Sequence, residues 1–228
     1  MHTVRYDFTL PGDERIGFAF EFDGRFELIP KPRDAWPEWT RLDFQRCENC
    51  PLAPDAAPRC PLAASLVEIV EATGALVSHT TVEVEVTIGE RRTVASAKAM
   101  DALRSLMGML IPASGCPRTA FFRPMARFHA PLSDREETLY RAVSMFLLAQ
   151  HLRRSRGLEA REGLGGLSEI YGELNVVNRH LAERLRAACE KDSALNAVAL
   201  LDVFAQLLPM QLDEPLEELA PLFEAYLG

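Results

Sequence analysis

The sequence predicts an α+β fold, with β-hairpins and two helices in its first part and a helical bundle in its second. Three observations predict it. Residues 4–29 alternate apolar and polar side chains at a period of two, residues beyond 133 repeat apolar side chains at helical spacing, and the stretch between residues 47 and 61 is punctuated by proline. That stretch has no apolar core of its own, so something else must hold it, and it contains three cysteines.

In chain order, the runs VRYDFTL, IGFAFEF and RFELI read as three strands separated by the turn residues Pro11-Gly12-Asp13 and Asp23-Gly24. Residues 30–39 hold three prolines and two tryptophans and read as an extended connector. Leu62, Leu66, Ile69 and Val70 follow at helical spacing after Pro61, which suits a first helical turn, so residues 61–76 are expected as one helix. A hairpin is expected over 81–95 around Gly89, then an apolar helix over 97–111 stopped by Pro112, which delivers the chain to Ser114-Gly115-Cys116-Pro117. Ser133-Asp134-Arg135-Glu136 reads as a capping box opening a helix closed by Gly157. Further helices are expected over 167–191, over 193–208 and from Asp213 to about residue 226. Residues 1–132 are thus expected as a hairpin and cysteine-site region, and 133–228 as a helical bundle packed on it in one compact unit.

The 228 residues have ordinary globular composition and a net charge of −8, which repels polyanions and disfavours nucleic acid as a partner. The exception is local: His151, Arg153, Arg154 and Arg156 cluster at the end of an expected helix, where cations suit the helix dipole. No basic start followed by an apolar run opens the chain, and the longest apolar stretch is interrupted by Asn196, Asp202 and Gln206. A cytoplasmic protein that neither spans nor binds a membrane is expected.

The cysteines carry the chemistry. Cys47 and Cys50 form a C-x2-C pair, Cys60 follows after nine residues, and Cys116 lies just beyond an expected helix end. Thiolates are soft ligands, and two residues between them let one turn aim both sulfurs at one ion. In a reducing compartment such spacing points to a metal rather than to disulfides. Cys47, Cys50, Cys60 and Cys116 are therefore the expected metal ligands. The occupant is a 4Fe–4S iron–sulfur cluster or zinc; Pro51, Pro61 and Pro117 each follow a cysteine, and recurrent Cys-Pro favours the cluster. Cys189, beside Ala187 and Ala188, reads as a plain buried thiol.

His129, in MARFH, reads first as a hydrogen-bonded structural residue, and otherwise as a ligand or as a general base beside a nucleophilic Cys116. Asp202 and Gln206 with Asn175, Asn178, Arg179 and His180 suggest a polar network between helices, or a polar pocket for a small ligand. There is no Walker loop, dinucleotide fingerprint, His-Glu-x-x-His, Gly-x-Ser-x-Gly or Glu-x-x-His motif.

Through CENCPL, RCPLA, SGCP, PMARFHAPL, EETLYRAVSMFLLAQ and KDSALNAVALLDVFAQLLP, the chain resembles a family of uncharacterised bacterial proteins over nearly its whole length. That resemblance implies a discrete cytoplasmic protein and supplies no activity. Cys47, Cys50, Pro51 and Leu52 are similar to the cluster-binding turn of iron–sulfur uracil-DNA glycosylases. The likeness implies a cluster; their glycine-rich catalytic loop is absent, so no DNA chemistry comes with it. The function expected is a metal-binding protein that acts by binding an unknown protein or small molecule, or by redox sensing. The alternative is an enzyme with a site at Cys116 and His129 facing the polar side of the bundle.

Overall fold

The structure, a computed structural model, describes residues 1–55, 57–188 and 213–227. Strands β1 (His2–Thr9), β2 (Arg15–Phe22), β3 (Thr81–Ile88) and β4 (Arg91–Lys98) form one antiparallel sheet in the order β2-β1-β3-β4. The register places Tyr6 opposite both Phe18 and Val86. Because side chains alternate along a strand, Val4, Tyr6, Phe8, Phe18, Phe20, Phe22, Val82, Val84 and Val86 all fall on the same, buried face. The other face carries surface ion pairs, Arg5 with Asp7 and Arg92 with Glu85.

RFELI, expected as a third strand, is not one. It makes a single bridge, Phe22 with Leu28. The Asp23 carboxylate accepts from the backbone of Arg25 and Glu27, which tightens the turn, and the Leu28 N–H goes to the Ala113 carbonyl. Side-chain capping and a tertiary acceptor replace a ladder here.

The expected helix over 61–76 is two pieces, α1 (Pro61–Ser65) and α2 (Val67–Thr73). At fully buried Leu66 the backbone N–H reaches back to Ala63, a tighter bond than the α-helical one, and this interrupts the helix. Helix α3 (Ala99–Ala113) runs one residue past Pro112. A proline so near the end forfeits one bond, and Ser114 and Thr119 both donate to the Ile111 carbonyl in the last turn. Leu103, Leu106, Met107 and Leu110 of α3 join the buried sheet face in one core. Each such side chain stabilises by roughly 1.5–3 kcal/mol through removal from water.

A short helix α4 (Arg123–Arg127) leads to the long helices α5 (Arg135–Ser155) and α6 (Gly165–Ala188), with α7 (Asp213–Leu219) and α8 (Glu224–Leu227) beyond. The capping box lies one residue later than the pattern suggests: Asp134 accepts from the Glu137 N–H, and Glu137 accepts from the Asp134 N–H. Helix α6 serves two cores. Val177, Leu181 and Leu185 pack into the sheet core, while Leu167 and Tyr171 pack with Leu139, Phe146, Phe122 and Leu219. Gly166 permits the close approach of α5 and α6, since a Cβ there would stand 2.9 Å from Phe146 Cζ. No helix among the described residues is long and apolar enough to cross a membrane. Cys189, the expected helix over 193–208, and Asp202 and Gln206 lie outside the described residues.

Candidate functional site

The loop from 41 to 60 is built by backbone bonds that cross it. Its ends bridge at Arg41 and Arg59, Leu42 donates to the Pro58 carbonyl, and Cys60 donates to the Thr40 carbonyl. Within it the Cys50 N–H closes a turn on the Cys47 carbonyl at 3.1 Å. Arg46 then donates to the carbonyls of Cys50 and Leu52, clasping the proline that follows. Cys60 sits at the N-terminal cap of α1, with Pro61 at the first helical position.

Cys116 arrives from the end of α3. Gly115 has φ 87°, a left-handed conformation that a side chain would strain, and it turns the chain back toward Pro61. The Thr119 N–H donates to the Cys116 carbonyl, and the Thr119 hydroxyl, whose proton goes to Ile111, lies 3.2 Å from the same carbonyl. Arg118 donates through Nε to the Asn49 carbonyl at 2.6 Å, tying the two cysteine segments together. Asn49 in turn donates to Glu173 on α6.

The turn at Cys47 and Cys50, the cap of α1 at Cys60 and the turn after α3 bring all four expected ligands to one small cavity, lined by Cys47, Cys50, Cys60 and Cys116 and closed by α6. All four are free thiols, each half-buried. As they stand, no group of three or more His, Cys, Asp or Glu side chains among the described residues is arranged to hold a metal ion. The thiols nevertheless act on one another. Burial, and then the neighbouring Cys60, Cys116 and Cys50, push the Cys47 thiol up to about 12. Burial also raises Cys116, opposed by backbone N–H groups of Arg118 and Thr119 directed at its sulfur.

Arg184 is the residue that sequence reasoning passed over. It is 2% exposed on α6, lines the thiol cavity, and donates to the carbonyls of Trp39, Arg41 and Leu42. Among the described residues no carboxylate forms a salt bridge with it. The guanidinium also lies 6.0 Å from the centre of the Phe44 ring, and the thiol cluster shares its cavity; a buried cation with no carboxylate partner is costly without a negative neighbour. Its signal in the sequence was positional: Arg184 stands three residues beyond Leu181 and seven beyond Val177, on the apolar stripe of the helix.

His129 lies elsewhere. It is buried, shares a hydrogen bond between Nε2 and the Tyr6 hydroxyl, and lines a second cavity that Cys116 does not line. The Tyr6 hydroxyl also meets Ser105 Oγ at 3.0 Å, and Ser105 Oγ accepts from the Leu132 N–H. Burial, with Arg141 and Arg91 nearby, holds the imidazole down to about 3, so it is neutral at physiological pH. Of the expected polar network, Asn178 lines this second cavity, while Arg179 and His180 face Glu48 of the cysteine loop.

The model of a domain of unknown function, DUF6901, matches residues 4–224. The chain belongs to the DUF6901 family. No curated protein and no solved structure matches it. The match to the DUF6901 model extends from the first strand of the sheet to the C-terminal helices, so it takes in both cavities.

Proposed function

We propose that this protein carries a metal centre on Cys47, Cys50, Cys60 and Cys116, an iron–sulfur cluster or zinc, and acts by binding or by redox sensing in the reducing cytoplasm. One observation carries the reading: four thiols from three separate segments of chain line a single cavity. Chance seldom gathers four of a protein's five cysteines in this way. Four thiolates on a zinc ion, or on a 4Fe–4S cluster in its oxidised state, leave a net charge of about −2. Arg184 supplies a buried cation against that charge, with Arg118 beside it. Without a metal, burial keeps Cys47 protonated, so metal uptake must release protons.

Two occupants have support. The three Cys-Pro steps, and the likeness of the first turn to a cluster-binding turn, favour the iron–sulfur cluster. The cavity that the thiols line measures about 20 Å³, a space on the scale of a single small occupant, which favours zinc. Anaerobic purification with metal analysis and a visible absorption spectrum separates them. Iron and sulfide with a broad visible band identify the cluster, and a colourless protein with one zinc identifies zinc. No bound metal and four titratable thiols would falsify both.

A further inference from the structure

We propose that the cavity between α3, α5 and α6 binds a small organic carboxylate with a compact apolar body. It measures about 140 Å³, the scale on which an apolar protein cavity takes up benzene. Ile111, Phe122, Met125, Leu132 and Leu174 supply apolar wall, which suits a hydrocarbon body and not a bare inorganic anion.

The charges converge on one sign. Arg104 and Arg141 both line the cavity, and none of its described lining residues is an aspartate or a glutamate, in a chain whose net charge is −8. Arg141 is positioned by the carbonyls of Met125 and Phe128 and by Ser133 Oγ, and no described carboxylate forms an ion pair with it. The buried Nε of Arg104 has no partner, and its guanidinium meets Asp101 only at 3.6 Å. A third donor points the same way: Asn178 is 2% exposed, and its buried amide nitrogen is unpartnered. Unsatisfied buried donors cost free energy, and a carboxylate accepting from both guanidinium groups and the amide removes that cost. His129 stays neutral and contributes shape rather than charge.

The site stands apart from the cysteine cavity, so its test does not depend on the metal reading. Benzoate, 3-methylbutanoate, benzamide, toluene and inorganic phosphate are titrated into the full chain, as purified, by calorimetry. At least one of the two carboxylates is expected to bind, with benzamide and toluene weaker by about tenfold or more. Arg104→Gln and Asn178→Leu should each weaken the carboxylate several-fold while denaturant unfolding shows the fold intact. Should Arg104→Gln fail to fold, Asn178→Leu and the comparison with neutral ligands decide alone. The proposal is overturned if neither carboxylate binds, if benzamide or toluene matches the carboxylate, if phosphate binds as tightly, or if the folded variants bind unchanged.

Discussion

The buried, neutral His129 makes the stability of this protein depend on pH in a way that can be calculated. The folded imidazole is held down to about 3, whereas in the unfolded chain it takes a proton near 6.5. Between those values the unfolded state binds the extra proton, so the contribution is fully present above pH 6.5 and is lost as pH falls toward 3. The slope approaches about 1.4 kcal/mol per pH unit, which amounts to about 2 kcal/mol between pH 7 and pH 5. Its causes are burial first, then the charges of Arg141 and Arg91, with the Tyr6 hydroxyl and the Ser105 side chain completing the surroundings. The assay is equilibrium denaturant unfolding of the wild type and of His129→Gln at several pH values. Glutamine can keep a hydrogen bond to Tyr6 but cannot titrate. Carboxylates and thiols titrate in both proteins, so they cancel when one curve is subtracted from the other. A difference that stays flat from pH 7 to pH 5 would show that His129 takes up a proton as readily in the folded protein as in the unfolded chain, and the account of its burial would fail.

Serine at Cys47, Cys50, Cys60 or Cys116 should release the proposed metal and lower stability by several kcal/mol, read by metal analysis and unfolding, whereas Cys189→Ser should keep the metal content unchanged. Arg184→Met should cost about 3 kcal/mol or more in denaturant unfolding, because three backbone carbonyls lose a charged donor; a loss under about 1 kcal/mol would contradict its role. Gly115→Ala should cost about 1–2 kcal/mol from the left-handed backbone and reduce metal retention by shifting Cys116, checked by thermal unfolding and chelator competition. Asp134→Ala should cost about 1 kcal/mol and leave metal content untouched, since the cap it removes is remote chemistry for the thiols.

The elements whose signals are local were legible from the residues alone. Period-two alternation placed β1, β2 and the β3–β4 hairpin, and helical spacing placed α3, α5 and α6, because side-chain direction follows directly from backbone repeat. The sequence also singled out the four cysteines that line one cavity. Tertiary contacts decided the rest. RFELI alternates like a strand but gives its Leu28 N–H to the end of α3, and the helix expected over 61–76 breaks at Leu66. Sequence spacing could not show that Cys60 and Cys116 meet the first pair, because a loop pinned at Arg41 and Arg59 and a glycine turn at 115 bring them there. Nor could it show that Arg184 lies under the thiols or that Arg104, Arg141 and Asn178 share a cavity. Residues brought together from distant parts of a chain leave no periodic trace in it; their proximity exists only once the sheet, α3 and α6 have packed.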